Sequence, residues 1–329
     1  MRGNPNGAVE IGYALSSEET PPKDLIRLAA EAESAGFSFA LISDHFHPWA
    51  DVQGSSPFVW SVLGGIAMQT KDLRIGTGVT CPIKRMHPAI VAQAAATMGC
   101  LMPGRFFLGL GSGENLNEHV LGGEWPPPEV RLSMLEEAVQ VLRLLHQGGE
   151  QSHHGKFFQV QDARIYNLPD QPVPIYLAAS GSRAAKLAAG VGDGLICTSA
   201  SQETISDFNA AGGKGKPRIG QLTVCWAKNY VEGLNTAYKY WAVSGLKGQF
   251  KNELPRTAYL EQATSSVTVE DVAMDIVCGP DPARHVEAIQ KFVSAGFNQV
   301  YVHQVGPDQA GFMRFYEREI MPNLKTLAA

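Results

Sequence analysis

The sequence predicts an α/β fold of the (β/α)₈ (TIM) barrel type, a ring of eight parallel strands alternating with helices. Three observations support it: 329 residues permit one large barrel, near-continuous apolar runs are typical of strands buried on both faces, and these runs alternate with helical patterns eight times. No linker divides the chain, so residues 1–329 are predicted to form one domain. The alternative, an open doubly wound sheet, requires a G-x-G-x-x-G turn that follows neither of the first two runs.

The elements follow one another as eight strand-then-helix units. Strands are predicted from apolar runs at 11–15, 37–43, 73–80, 106–110, 173–178, 194–197, 221–226 and 299–303. After the first strand, Pro21 and Pro22 begin a helix with apolar residues at helical spacing, and Gly36 ends it. Further helices are predicted at 57–69, 87–101, 130–145, 182–190, 281–296 and 312–327.

Two segments exceed a minimal barrel and are predicted to be insertions at the C-terminal ends of strands. Residues 148–168 contain an aromatic stretch, 156–160, for which a hairpin is one interpretation. Residues 229–269 form a long, largely helical insertion before the last strand. Insertions at these ends shape the mouth of an active site in barrels.

Composition argues against several classes of function. A net charge of −5 and a pI near 6.0 leave no basic stripe for nucleic acid. Residues 1–7 are polar, which argues against a secretory signal, and the uncharged stretch 52–70 is too polar to span a membrane. The five cysteines include no C-x-x-C pair, so no disulfide framework or zinc knuckle is expected. We expect a cytoplasmic protein whose partner is a small molecule.

Candidate catalytic residues follow the strands at their C-terminal ends, where barrels carry their chemistry. His45 and Trp49 follow the second strand, and Glu114 follows the fourth. An imidazole can accept a proton near neutral pH, an indole can stabilise a cation, and a carboxyl group adds a second proton-transfer group. Gly111 and Gly113 would let the backbone approach a flat ligand. This combination predicts a redox pocket.

A phosphate site is predicted after the fifth strand. Residues 180–182 precede a helix that carries Arg183, and a helix N-terminus with free N–H groups suits a phosphate. Structural interpretations also stay open, because His45 could be a buried packing residue, and Glu114 or Ser182 could cap a helix.

A metal site is a further interpretation of the same strand ends. His45 and His47 would share one face of an extended segment, as metal ligands can. The later strand ends offer only Cys197 and His303 as additional ligands, so no metal is expected.

Two motifs carry a resemblance to a known family. The segments S-D-H-F-x-P-W at 43–49 and G-x-G-E-x-L-N-E at 111–118 resemble the F420-dependent glucose-6-phosphate dehydrogenase group of the luciferase-like barrel superfamily. The resemblance extends over nearly the whole chain, including A-A-T-M-G-C-L at 95–101 and G-D-G-x-I-C-T-S at 192–199. It implies a luciferase-like barrel and the deazaflavin coenzyme F420 as hydride acceptor; FMN, the cofactor of other relatives, is the alternative.

The resemblance also implies a role for individual residues. His45 would be the base that deprotonates a substrate hydroxyl, Glu114 the acid that serves the coenzyme ring, and Trp49 the group that stabilises the charged intermediate. A non-proline cis peptide is implied at 78–79. The implied cofactor-binding residues are Asp44, Gly78, Val79, Gly113, Asn117, Ala178, Ala179, Ser180 and Gly181.

Departures from the family pattern affect the substrate. The implied substrate-binding positions are Glu18, Thr198, Ser201, Lys251 and Met274. Sugar-phosphate enzymes of this group use two lysines and an arginine for the phosphate. Here Ser201 stands in place of the first lysine and Met274 in place of the arginine, while Lys251 keeps the second lysine. Glucose 6-phosphate is therefore a doubtful substrate, and another sugar phosphate and a neutral secondary alcohol both stay open.

The sequence thus predicts an F420-dependent dehydrogenase that takes a hydride from a hydroxyl-bearing carbon, and a homodimer is expected. Three alternatives are a reductase that runs the reaction backwards, a barrel that only binds the coenzyme, and an FMN-dependent luciferase-like monooxygenase.

Overall fold

Eight parallel strands form a closed barrel, as the sequence predicts. The computed structural model describes residues 9–324. The barrel strands are β1 (Glu10–Leu15), β2 (Phe39–Ile42), β3 (Arg74–Thr77), β4 (Phe106–Leu110), β7 (Ile175–Ala178), β8 (Gly194–Cys197), β9 (Arg218–Cys225) and β11 (Gln299–Gln304). They pair in this order, and β11 pairs with β1 to close the ring.

The remaining strands lie outside the ring. β5 (Gln151–His154) and β6 (Gln159–Ala163) form an antiparallel hairpin, and the aromatic stretch 156–160 makes its turn and the start of its second strand. β10 (Val277–Cys278) pairs with the C-terminal end of β9. The sequence did not predict β10, because two residues carry no periodic pattern.

Helices surround the barrel and fill the long insertion. They are α1 (Pro22–Ser34), α2 (Val59–Gln69), α3 (Pro88–Leu101), α4 (Asn115–Glu118), α5 (Pro128–Leu145), α6 (Ser182–Val191), α7 (Gln202–Phe208), α8 (Tyr230–Trp241), α9 (Thr257–Thr264), α10 (Val269–Asp275), α11 (Pro282–Ala295), α12 (Gln309–Phe315) and α13 (Met321–Leu324). None of the helices within residues 9–324 is long and apolar enough to cross a membrane.

Local sequence signals explain where several helices begin and end. Proline occupies the first turn of α1, α3, α5 and α11, where its fixed φ fits and its missing N–H has no partner to lose. Gly296 ends α11 at a φ of 104°. The closing helix begins at Gln309 rather than at the predicted 312, because the Asp308 carboxylate accepts a hydrogen bond from the Gly311 N–H at 2.8 Å.

An aromatic core fills the barrel and leaves its C-terminal mouth to polar residues. The side chains inside the ring are Phe39, Leu41, Phe107, Tyr176, Ile196, Ile219 and Tyr301, all nearly fully buried. A larger apolar layer packs the strands against the helices. The predictions for the polar segment 1–7 and for the helix end 325–327 lie outside the described residues.

Candidate active site

His45 lies just beyond β2, at the mouth of the barrel. Its Nδ1–H donates a hydrogen bond to the His47 carbonyl at 3.2 Å, which leaves Nε2 free to accept a proton. Nε2 lies 3.4 Å from a carboxylate oxygen of Glu18 and 3.4 Å from one of Glu114. Burial lowers the pKa of His45, but the charges of Glu18 and Glu114 and the bond to the carbonyl outweigh it and raise the pKa overall.

Glu18 is held rigidly beneath the imidazole. Its carboxylate accepts hydrogen bonds from the Ser43 hydroxyl at 2.5 Å and the Ser16 hydroxyl at 3.1 Å, and the residue is 2% exposed. Burial raises the pKa of Glu18, but the positive His45 and the Ser43 bond lower it further than burial raises it. The sequence assigned Glu18 to substrate binding and missed its contact with His45.

Trp49 packs beside the imidazole. The ring centroids of His45 and Trp49 are 5.2 Å apart, with the planes tilted by 53°. The Gln53 side chain fixes this loop, because its oxygen accepts the Trp49 N–H at 2.8 Å while its amide donates to the Tyr240 carbonyl at 3.0 Å. The indole is thus placed to stabilise positive charge on His45.

Asn117 joins the loop that carries His45 to the loop that carries Glu114. Its side-chain oxygen accepts the N–H groups of Phe46 at 2.9 Å and His47 at 3.3 Å, and its amide donates to Glu114 at 3.1 Å. Glu114 occupies the N-cap position of α4, but its carboxylate makes no capping hydrogen bond. The capping interpretation of Glu114 is therefore wrong, since the carboxylate faces His45 and Asn117.

The two glycines before Glu114 are required by packing within the protein. A Cβ at Gly111 would lie 2.6 Å from a methyl group of Val79, and one at Gly113 would lie 2.5 Å from the Cys81 sulfur. Gly113 also has a φ of 79°, which glycine tolerates best. The sequence interpretation attributed both to a flat ligand, whereas neighbouring side chains already account for them.

Asp44 belongs to a buried charge cluster that the sequence did not reveal. Arg85 donates to its carboxylate at 2.7 Å, and the Thr80 hydroxyl donates at 2.7 Å. Arg85 also lies 3.6 Å from Glu118, whose pKa is raised by burial. The cluster fixes the start of the His45 loop. The peptide bond at 78–79 beside it is cis, as the resemblance implies.

The loop after β7 presents an open helix N-terminus. Ala178 is the last residue of β7, and Ala179, Ser180 and Gly181 form the loop. Gly181 is the N-cap of α6, makes no side-chain cap bond, and has open space where a Cβ would stand. The prediction that Ser182 caps this helix is therefore wrong. The free N–H groups suit a phosphate.

The remaining predicted substrate positions lie in different surroundings. The Ser201 hydroxyl caps α7 by accepting the Thr204 N–H at 3.1 Å, and Thr198 is exposed. Met274 is 68% exposed. Lys251 lies in the insertion, where burial lowers its pKa while the charges of Glu114 and Asp275 act in the opposite direction. Of these four, Lys251 is therefore the residue whose charge acts on the site.

The two histidines of the metal interpretation have different partners. His45 Nε2 faces Glu18 and Glu114, whereas the His47 Nδ1–H donates to the Leu116 carbonyl at 2.9 Å. Within residues 9–324, no group of three or more His, Cys, Asp and Glu side chains is arranged to hold a metal ion. The geometry therefore favours proton transfer at His45.

The sequence did not predict a second buried imidazole–carboxylate pair, which His303 and Glu19 form. His303, at the end of β11, lies 3.1 Å from Glu19, and the edge of the Trp241 ring packs on it at 4.5 Å between centroids. Glu19 in turn accepts the Gly306 N–H at 3.0 Å. The signal available in the sequence was the adjacent pair Glu18–Glu19 after β1, opposite a histidine on the neighbouring strand.

Comparison with known proteins relates the chain to one family. The model of the luciferase-like monooxygenase family matches residues 8–299. An F420-dependent glucose-6-phosphate dehydrogenase of Mycolicibacterium smegmatis is 35% identical over 97% of this chain and 99% of its own, and one of Beutenbergia cavernae is 36% identical over 96% and 98%.

Solved structures show the same fold. An F420-dependent secondary alcohol dehydrogenase in complex with an F420–acetone adduct superposes with a TM-score of 0.90 at 30% identity, over 96% of this chain and 99% of that one. The F420-dependent tetrahydromethanopterin reductase of Methanopyrus kandleri has a TM-score of 0.78 at 20% identity, over 96% and 99%, and is evidence for the fold alone. The chain belongs to the luciferase-like monooxygenase family.

Proposed function

We propose that this protein is a coenzyme F420-dependent dehydrogenase, which oxidises a hydroxyl-bearing carbon and transfers its hydride to the coenzyme. The observation that carries the proposal is the free Nε2 of His45, flanked by Glu18, Glu114 and Trp49 at the mouth of the barrel. Similarity to F420-dependent relatives at 35% identity over nearly the whole chain supports this coenzyme.

The residues around His45 fit a deazaflavin coenzyme. The uncapped N-terminus of α6 at Gly181 would hold its phosphate, and the cis peptide at 78–79 together with Asp44 and Asn117 would line its ring. Bound F420 would supply a ring carbon that accepts the hydride.

The protein's own groups would manage the protons. His45 Nε2 would accept the proton of the substrate hydroxyl while the hydride leaves the carbon that bears this hydroxyl. A carbonyl forms as a result. Glu18 and Glu114 stabilise the resulting imidazolium, and the face of Trp49 adds to this. The proton taken up by His45 Nε2 would then pass to the Glu114 carboxylate 3.4 Å away, which would in turn serve the reduced coenzyme as its acid. The opposite direction, reduction of a carbonyl, uses the same groups in reverse.

Two measurements test the proposal. The mass and absorbance of the cofactor that copurifies distinguish F420 from FMN, and F420 is expected. His45→Ala should lower turnover by about 10²-fold or more with little change in F420 affinity, because it removes the base alone. His154→Ala, an exposed histidine on the hairpin, is the matched control and should leave turnover unchanged. Near-normal turnover of His45→Ala would reject the role as base.

Assembly and location are proposed on separate grounds. We propose a homodimer through α2 and α3, adjacent helices that expose Met68 and Ile90, together with the exposed Phe58 that precedes α2. Light scattering should show a dimer, and Met68→Glu with Ile90→Glu should yield monomers. We also propose a cytoplasmic location, because all five cysteines are free thiols.

A further inference from the structure

An apolar cluster roofs the proposed active site. Its buried members are Leu116, Val243 and Leu260, and the partly buried side chains packed on them are Trp49, Trp241, Leu246 and Leu254. We call these seven residues the roof cluster. It joins the His45 loop and the Glu114 loop to the insertion after β9, so apolar side chains adjoin the groups that would act on the hydroxyl.

Partly buried members of the roof cluster are available to a ligand. Trp49 stands beside His45, and Trp241 packs its ring edge on His303 at 4.5 Å between centroids. Leu246 and Leu254 likewise keep part of their surface exposed. Covering apolar surface with an apolar substituent of the substrate would be favourable by about 25 cal/mol per Å².

The charges near His45 disfavour a phosphate dianion. Glu18 and Glu114 each place a carboxylate 3.4 Å from its Nε2. The charge of Glu114 acts on Lys251, and burial lowers the pKa of this lysine. The neighbouring Lys247 lies 3.4 Å from the Asp275 carboxylate. A phosphate ester close to His45 would thus be repelled by two carboxylates, while Lys251 and Lys247 already lie in the field of Glu114 and Asp275.

Neither Ser201 nor Met274 can replace the lysine and the arginine that the sugar-phosphate enzymes have at these positions. The Ser201 hydroxyl is committed to the N-terminus of α7, and Met274 is apolar and exposed. Resting on the proposed dehydrogenase function, we propose that the substrate is an uncharged secondary alcohol with an extended apolar substituent, which lies against the roof cluster while its hydroxyl meets His45. Oxidation then yields a ketone as the hydride passes to F420 and the hydroxyl proton to His45.

The decisive experiment is a substrate panel with the F420-loaded protein. Reduction of F420 is followed by its loss of absorbance with secondary alcohols from isopropanol to a secondary octanol, with glucose and with glucose 6-phosphate. We expect kcat/KM to rise about 3- to 4-fold per added methylene and to be at least about 100-fold higher for the octanol than for the sugar phosphate. A flat dependence on chain length, or preference for the sugar phosphate, overturns this substrate class while leaving the dehydrogenase function in place.

A variant of the roof cluster supplies the second arm. Leu246→Gln keeps the side-chain length but adds a polar amide, and should lower kcat/KM for the octanol about 10-fold with little change for isopropanol. Val231→Gln, at a position 64% exposed on α8, is the matched control and should change neither. Equal losses for both alcohols would contradict the contact. Unchanged F420 affinity, measured by fluorescence, shows that Leu246→Gln is folded.

Failure of the proposed function gives a different result. If the protein binds F420 but reduces it with no member of the panel, both the proposed substrate class and the proposed dehydrogenase function are rejected. If it binds no F420, the coenzyme assignment falls first.

Discussion

Replacing Asn117 should lower the free energy of unfolding more than replacing an ordinary polar loop residue does, because its side chain makes three hydrogen bonds. Asn117→Ala removes hydrogen bonds of 2.9 Å to Phe46, 3.3 Å to His47 and 3.1 Å to Glu114. Each such bond contributes about 1 kcal/mol net, and the part-buried N–H groups of Phe46 and His47 would be left without an acceptor in the protein. We expect the free energy of unfolding to fall by about 2–4 kcal/mol.

The effect on turnover should exceed what lost stability explains. Without Asn117, the loops of His45 and Glu114 lose their common tie, and a misplacement of about 1 Å can lower a rate about 10²-fold. Asn117→Asp separates the two effects, because its carboxylate still accepts the Phe46 and His47 N–H groups but repels Glu114. It should keep most of the stability and lose turnover. Urea unfolding and F420 reduction at saturating coenzyme measure both quantities.

A control at the opposite end of the barrel makes the comparison sharp. Asn298 precedes β11, and its side-chain oxygen accepts the Arg218 N–H at 2.9 Å. Asn298→Ala should lower stability by about 1–3 kcal/mol and leave kcat unchanged, because it lies far from the mouth. If Asn117→Ala retains kcat within about twofold of the parent, or if Asn298→Ala loses as much, then Asn117 does not position the two loops.

Two further predictions concern charge. The value of kcat/KM should fall as the pH drops through the pKa of His45, because the base must be neutral. Glu18→Gln should move this fall to lower pH, since it removes a carboxylate that raises the pKa of His45. A profile of kcat/KM against pH checks both statements, and an unchanged profile in Glu18→Gln contradicts the second. Arg85→Met should lower the free energy of unfolding by about 3–5 kcal/mol, because it leaves the carboxylates of Asp44 and Glu118 buried without a cation. Urea unfolding measures this loss, and a change below about 1 kcal/mol would show that the ion pair is dispensable.

The barrel was predictable because its signals are local. Strands buried on both faces read as apolar runs, so all eight could be located without knowledge of their partners. The helices that begin at Pro22 and Pro88 could be predicted because the proline ring fixes φ at a value that suits the first turn of a helix. Where the local signal is absent, as for β10, or depends on a cap such as Asp308, the prediction missed an element or misplaced its start.

The site was predictable in its residue types and not in its connections. His45, Trp49 and Glu114 could be named because they follow strand ends. The contacts that orient them come from distant parts of the chain: Asn117 reaches Phe46, and Glu18 reaches His45. Such pairs leave no periodic trace in one sequence, and neither does Arg85, which resembles any surface arginine until the fold buries it beside Asp44.

The proton-transfer residues and the roof cluster come from different segments of the chain. The choice of substrate can therefore change while the reaction stays the same. Glu18, His45 and Glu114 stand on loops that directly follow β1, β2 and β4, so the barrel itself fixes their distances. The roof cluster draws five of its seven members from the insertion after β9, which is held in place by contacts such as the ion pair of Arg131 with Glu253 at 2.8 Å. Substitutions in the insertion can therefore change which alcohol is accepted without moving the base. Relatives with one proton-transfer site but different substrates are the expected result, because the strands hold the reaction constant while the inserted segment varies.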